Sequence, residues 1–309
     1  MIAVCGEALI DIVGDGDGTQ SARPGGGPFN TARALARLGV PTAFLGRLSS
    51  DMFGRELAGR LAADGVDLSM ASSGPEPTTI AVTDVDGYGV AAYSFLVEGT
   101  SAPNFTTAML PERLPPEVSA LHVGTLGLLL EPMALTMVEL IQREGDRRLV
   151  MIDPNVRPAL LGDDGDYRRR LEWVIARSAI VKASDDDLAW LYPGLDYETA
   201  VDSILSLGVR LVVATLGAQG AFGASPGARI QVSAPPVQVV DTIGAGDAFG
   251  AALLAWLHDG GRLSRDLSLG VGDLQAALSF ACLVASTTCT RAGAEPPWRA
   301  EVLGGEKAL

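Results

Sequence analysis

A doubly wound α/β fold, with a mostly parallel sheet flanked by helices, is what this 309-residue sequence predicts. Three observations carry the prediction. Short apolar runs alternate with helical patterns, the runs lack polar/apolar alternation, and no repeat or low-complexity linker breaks the rhythm. Strands apolar on both sides suit a sheet covered on both faces, and strand–helix alternation marks βαβ units.

Taken in order, strands are expected at residues 2–5, 43–45, 120–123, 149–152, 179–181 and 211–214. Helices are expected at 30–38, 51–63, 132–144, 167–177 and 185–191. Two stretches break the pattern. Residues 12–23 are rich in Gly and Asp, and residues 79–83 and 90–95 alternate around the turn Asp84-Val85-Asp86-Gly87. Together, segments 12–23 and 78–100 read as a small β-sheet lid; the alternative is a pair of surface hairpins. Residues 1–11, 24–77 and 101–309 then form the core. Segments 248–257 and 274–286 are apolar on nearly every face, so both read as buried helices of that core.

A formal charge of −14 argues against nucleic acid and against an anionic membrane surface, both of which are held by clustered Lys and Arg. Three widely spaced cysteines imply no disulfide framework, and two histidines without a C-x-x-C argue against a zinc site. The N-terminus lacks a basic start followed by a long apolar run, and no stretch of about 18 apolar residues is uninterrupted. The expectation is a soluble, cytoplasmic protein.

The segment Asp241-Thr242-Ile243-Gly244-Ala245-Gly246-Asp247 joins an extended run to a buried helix. Glycines at a helix start let backbone N–H groups meet a ligand closely, and the helix dipole adds positive potential there. Gly244, Ala245 and Gly246 thus form a candidate anion site, and Asp247 a candidate general base for a substrate hydroxyl. Read alone, Asp247 is better explained as a helix N-cap. A second segment, Pro24-Gly25-Gly26-Gly27-Pro28-Phe29-Asn30, opens another helix that Gly39 closes. Bare glycine backbone beside the Asn30 amide suits a neutral polyol; the alternative is a tight turn. Phe29 and Phe95 are candidates either for that pocket or for the core.

With both segments in view, the sequence resembles the ribokinase-like (PfkB) carbohydrate kinases. The Gly-Gly-x-Pro-x-Asn and Asp-Thr-x-Gly-Ala-Gly-Asp segments stand in that family's order, about 210 residues apart. The likeness also covers Gly6-Glu7-Ala8-Leu9-Ile10-Asp11, Asp153-Pro154-Asn155-Val156-Arg157, Thr215-Leu216-Gly217-Ala218-Gln219-Gly220 and Cys289-Thr290-Arg291-Ala292-Gly293-Ala294. It implies a ribokinase-like fold, ATP and Mg²⁺, and catalysis by Asp247 over an anion hole of Gly244, Ala245 and Gly246. It places the sugar on Asp11, Gly26, Gly27, Asn30 and Arg157. It places the nucleotide on Lys182, Ser184, Thr215, Gly217, Gly220, Gly246 and Cys282, with Asp187 ordering Mg²⁺ through water. Asp241, Ile243, Thr288, Arg291 and Gly293 fall where members bind a monovalent cation such as K⁺. Pairing of two copies through the lid is a further implication.

Three positions depart from the pattern. Ser184 and Asp187 replace the Asn and Glu of an Asn-x-x-Glu motif, Cys282 replaces a base-contacting Asn, and Pro297 replaces a Ser of the cation shell. Rival nucleotide sites fail on residues. With Lys182 and Lys307 the only lysines, and no Gly before either, there is no Walker A loop. Phe249 occupies the third-glycine position of a dinucleotide fingerprint, and Gln20 spoils a calcium loop at Asp15-Gly16-Asp17-Gly18. Within the family the two chain ends look most like bacterial fructokinases, so fructose 6-phosphorylation is the first expectation. 2-Keto-3-deoxygluconate kinase comes second, with Arg157 on the substrate carboxylate, and ribokinase or nucleoside kinase after it. A non-catalytic sugar-binding regulator is the alternative from another class, and it predicts loss of Asp247 or of the glycines, both of which are present.

Overall fold

Alternating burial to two faces places the first strand of the chain in the middle of the molecule: Ile2 and Val4 enter one apolar cluster, Ala3 and Cys5 the other. The computed structural model describes residues 1–14, 19–85, 91–161 and 164–304. The Asp15–Gly18 turn and residues 86 and 87 of the expected hairpin turn lie outside them.

The chain opens with β1 (Ile2–Cys5), β2 (Leu9–Gly14), β3 (Gln20–Gly25) and helix α1 (Gly27–Arg37). Then come β4 (Thr42–Leu45), β5 (Arg47–Ser49), α2 (Met52–Ala63), β6 (Ser72–Gly74), β7 (Ile80–Val85) and β8 (Ala91–Leu96). An alternating stretch follows: β9 (Ala120–Gly124), α3 (Leu126–Leu129), α4 (Met133–Glu144), β10 (Leu149–Asp153), α5 (Gly165–Ile175) and β11 (Ile180–Ser184). It continues through α6 (Asp185–Leu191), α7 (Tyr197–Ser206) and β12 (Leu211–Thr215). The last elements are β13 (Ala221–Ser225), β14 (Ala228–Val232), α8 (Ala245–Asp259), α9 (Val271–Cys289) and α10 (Arg299–Gly304).

Eight strands form the central sheet in the order β14-β13-β12-β11-β10-β9-β1-β4. The run from β12 to β4 is parallel, as expected, and all six anticipated strands are in it. The antiparallel β13–β14 edge was not anticipated, although Pro226-Gly227 between those strands is a turn signal. A separate four-stranded sheet, β3-β2-β7-β8, stands beside the central one, and its strands reach beyond 12–23 at both ends. Helices α1, α2, α8 and α9 cover one face of the central sheet, and α4 to α7 the other.

Helix α9 is long and apolar enough to cross a membrane by length and composition. It packs along α8 and over β13–β14 with Leu274, Ala277, Leu278 and Ala281 fully buried, so it is a core helix. Helix α1 starts three residues before the expected position, because Pro28 suits a first turn and Asn30 N–H reaches Gly26 O at 2.9 Å. Helix α8 starts at Ala245 after Gly244 in the left-handed region (φ 77°). Asp247 therefore lies inside the first turn and is not the N-cap.

Leu254 on α8 has no exposed surface. Leu254→Ala is expected to lower the unfolding free energy by about 2–5 kcal/mol in denaturant titration, with an unchanged slope.

Candidate active site

The N-termini of α1 and α8 meet beyond the carboxyl ends of β9, β10 and β11, where open α/β sheets hold their ligands. Glycine makes the approach possible. A Cβ on Gly27 would collide with Thr125 Oγ1 and come within 3.3 Å of Asp247 Oδ1, and one on Gly244 would sit 2.6 Å from the Ala294 Cβ. Across this junction Asn30 Nδ2 donates to Asp247 Oδ2 at 2.8 Å. Asn30 Oδ1 is buried and has no partner among the described residues, so one side-chain acceptor remains for a ligand hydroxyl.

Burial pushes the Asp247 carboxyl up to about 6, against the Asn30 donor; Asp153 adds to the rise and Lys182 opposes it. Lys182 is buried and donates to Asp153 Oδ2 at 2.6 Å. Burial works against its charge, but the Asp153 partnership outweighs it and holds the ammonium above its ordinary value. The Lys182 Nζ would be 3.1 Å from a Cβ on Gly246, so the ammonium sits beside the first turn of α8. Among the expected anion donors, Ala245 N–H is taken by Thr242 O at 3.2 Å. Gly244 and Gly246 N–H have no partner among the described residues.

Glu7 was not singled out from the sequence as a site residue. Fully buried, it accepts from Gly27 N at 3.3 Å and from Gly127 N at 3.1 Å, so one carboxylate serves the first turns of both α1 and α3. Burial pushes it up to about 8, although its own backbone N–H and that of Gly127 pull the other way. Nearby, β9 and β10 run out into two residues with left-handed backbone, Thr125 (φ 49°) and Asn155 (φ 40°), joined by Asn155 Nδ2 to Thr125 Oγ1 at 3.4 Å. Such conformations cost about 1–3 kcal/mol each and cluster at functional sites. Nothing in single-sequence pattern marks them.

Asp11 lies on β2 against Gly25, where a Cβ would collide with its carboxylate; burial pushes it up to about 6, with Arg157 opposing. Arg157 folds back on its own loop, donating to the Asn155 and Val156 carbonyls. Asp187 Oδ1 accepts from Val156 N at 2.7 Å, and Oδ2 from Ser184 N and Oγ in a capping box that starts α6.

Two cavities meet here. One of about 560 Å³ is lined by Glu7, Asp11, Asn30, Arg157, Asp187 and Asp247, and Phe95 also reaches it, whereas Phe29 is core. The other, about 520 Å³, is mainly apolar, with Gly217, Gly220, Val237, Phe249, Cys282 and Cys289 among its walls. Both are lined by Thr215, Thr242 and Gly246. The residues expected at a cation were expected to act mostly through backbone carbonyls, and their side chains are engaged elsewhere in part. Asp241 accepts from Ile243 N and Gly293 N, but Thr288 Oγ1 donates within its own helix to Val284 O, and the Arg291 side chain pairs with Glu301. No group of three or more His, Cys, Asp or Glu able to hold a metal occurs among the described residues.

The family described as pfkB family carbohydrate kinase matches residues 1–301. A fructokinase of Rhizobium leguminosarum bv. trifolii is 41% identical over 261 residues, covering 83% of this chain and 79% of its own. A Klebsiella pneumoniae fructokinase is 35% identical over 308 residues and 96% of each chain. The crystal structure of fructokinase from Vibrio cholerae O395, with fructose, ADP and calcium ion bound, superposes with a TM-score of 0.86 at 28% identity, covering 98% of this chain and 97% of that one.

Because the Asn30 amide favours the charged carboxylate, Asn30→Ala is expected to raise the Asp247 value above about 6. Carbon-detected NMR titration of the Asp247 carboxyl checks this; an unchanged midpoint would remove Asn30 from that role.

Proposed function

This chain belongs to the pfkB family of carbohydrate kinases, and on that premise we propose that it is an ATP-dependent fructokinase acting on the 6-hydroxyl of fructose. The observation that carries the reading is the Asn30–Asp247 pair, set where a polar cavity and an apolar one meet at Gly246.

The sugar belongs in the polar cavity, where Asp11, the Gly26–Gly27 backbone, Asn30 and Arg157 supply donors and acceptors without a fixed net charge requirement. The base and ribose of ATP belong in the apolar slot between the Gly217–Gly220 turn and Cys282; both glycines have positive φ, and a Cβ on Gly220 would collide with Val232 O. The triphosphate then runs past Thr215 toward Gly244 and Gly246. Asp247 accepts the hydroxyl proton as the sugar oxygen bonds to the γ-phosphorus and the bond to the ADP oxygen breaks. Asn30 holds the accepting carboxylate in place. The open N–H groups of the α8 first turn, its dipole and the Lys182 ammonium oppose charge on the transferring group. With its value raised to about 6, Asp247 is a stronger base than an ordinary carboxylate and still mainly ionised at pH 7.

Magnesium is the divalent ion we assign. The carboxylate and hydroxyl oxygens of Asp187 and Ser184 border the cavity, and Asp153 Oδ1 is buried without a partner among the described residues, a hard-oxygen set that suits Mg²⁺ retaining its waters. An ion held there by Asp187 and Ser184 through water would supply positive charge to the phosphates. Free Cys5, Cys282 and Cys289 suit a reducing cytoplasm. Pairing of two copies through the small sheet, which the family resemblance implies, would bring together the β8 end that carries Leu96, 59% exposed.

ADP release with Mg-ATP should be greatest with fructose across a panel of hexoses, pentoses, 2-keto-3-deoxygluconate and nucleosides; no release with any of them would sink the reading. Asp247→Asn should cut kcat by about 10²–10⁴ while sparing ATP binding measured by calorimetry. In the unmodified enzyme kcat/KM should fall as pH drops through about 6, because the base is lost on protonation. A pH–rate profile flat down to pH 5 would contradict that assignment.

A further inference from the structure

Among the described residues, two that are not glycine have positive φ, Thr125 at 49° and Asn155 at 40°, and both line the polar cavity. For a β-branched residue this is an outlier, and strain of this kind persists only where the surroundings hold it. Here they do. Thr125 N donates to Asp153 O at 3.0 Å, and Thr125 O accepts from Leu128 N at 3.1 Å. Gly124 brings β9 so close to β10 that a Cβ on it would lie 2.9 Å from Asp153 O. Thr125 is 7% exposed, and its Oγ1 would be 2.4 Å from a Cβ on Gly27, a point 3.3 Å from Asp247 Oδ1. Asn30 donates to Oδ2 and leaves Oδ1 free, so the threonine hydroxyl flanks the oxygen of the base that is open to a proton.

The direction of the hydroxyl hydrogen follows from its neighbours. Arg157 carries donors only, so its Nη1 contact with Asn155 Oδ1 at 2.5 Å turns the Asn155 amide with Nδ2 toward Thr125. Asn155 Nδ2 then donates to Thr125 Oγ1 at 3.4 Å. A hydroxyl that accepts on one side keeps its own hydrogen to donate. Thr125 donates it to no group among the described residues, so it is available to the cavity. The same cavity holds the unpartnered acceptor Asn30 Oδ1, and together they offer a polyol both a donor and an acceptor.

We infer that Thr125 is a further substrate-contact residue, whose hydroxyl donates to a sugar hydroxyl other than the one that Asp247 deprotonates. A donor aimed at the attacking oxygen would hold back the lone pair that bonds to phosphorus, so the partner is a neighbouring hydroxyl. Asn155 is a positioning residue, which acts through Thr125. With one hydroxyl on Asp247 and a second on Thr125, the sugar can present only one end to the phosphate. A hydrogen-bonding wall also rejects a sugar without the matching hydroxyl more firmly than an apolar wall can. The inference deepens the kinase reading and rests on it.

The test is a set of cycles between enzyme variants and sugar analogues, read as kcat/KM. Thr125→Val keeps the branched shape and removes the hydroxyl; it should lose about tenfold with fructose, chiefly in KM, with ATP binding by calorimetry unchanged. Thr125→Ser keeps the hydroxyl and should lose much less. The analogues are fructose lacking the 1-, 3- or 4-hydroxyl, and 2,5-anhydro-D-mannitol, which lacks the 2-hydroxyl. For one of them the Thr125→Val loss should vanish, because both partners are then gone. Asn155→Gly, which suits the positive φ, should lose its effect with the same analogue. A merely structural change would weaken every sugar alike. Parental kcat/KM in Thr125→Val overturns the inference, as does a loss in Thr125→Ser as large as in Thr125→Val, or an equal loss with every analogue. If sugars bind but none is phosphorylated, the kinase reading fails, and the same cycles read as calorimetric Kd decide the contact. If no sugar binds the unmodified protein, both readings fall.

Discussion

One hydrogen bond organises this molecule: Asn30 Nδ2 to Asp247 Oδ2, between residues 217 positions apart. It can form only because two helices begin at the same point, and two helices can begin there only because their first turns are glycine. Each surrounding feature maintains that meeting. Glu7 accepts from the first turns of α1 and α3, Thr125 and Asn155 turn the chain sharply at the ends of β9 and β10, and Arg33 keeps Ala294 against Gly244. Contact between α1 and α8 continues along the core behind the site, so the packing that stabilises the fold also sets its geometry.

The site carries an unusual load of buried charge. Glu7, Asp153 and Lys182 are buried and Asp247 is half-buried; each must be compensated locally or it neutralises, as burial drives Glu7 toward doing by raising it to about 8. Lys182 and Asp153 compensate each other; Glu7 and Asp247 rely on N–H donors. The balance is incomplete. Asp247 is left with a raised proton affinity, which a base requires, and Asn30 Oδ1 and Asp153 Oδ1 are left without partners among the described residues. His122, buried beneath α8 with neither ring nitrogen bonded among those residues, is held neutral by burial, its value lowered to about 3.

Much of this was legible in the sequence. β1 and α6 fall at the expected residues, since one is a run of four apolar residues and the other follows a Ser-x-x-Asp capping box. Asp247 and Asn30 were recognisable because glycines clustered just before a helix start bring backbone N–H groups close to a ligand. What stayed hidden depends on distance in space. Helix α7 is short, and its signal is no more than an Asp196 cap with apolar residues at 200, 201 and 204. The antiparallel β13–β14 edge looks locally like any strand pair. Glu7 reads as one acid after a strand until the fold carries Gly27 and Gly127 to its two oxygens.

Among the described residues the two cavities share three, Thr215, Thr242 and Gly246. The first turn of α8 serves both; the remaining walls come mostly from β2, α1 and the loop after β10 for one, and from the turn after β12, residues 234–239 and α9 for the other. Mutation can therefore redraw one wall without disturbing its neighbour, and an insertion in the small sheet need not reach the shared residues. A fold divided in this way lets descendants exchange one small molecule for another while inheriting the reaction unchanged.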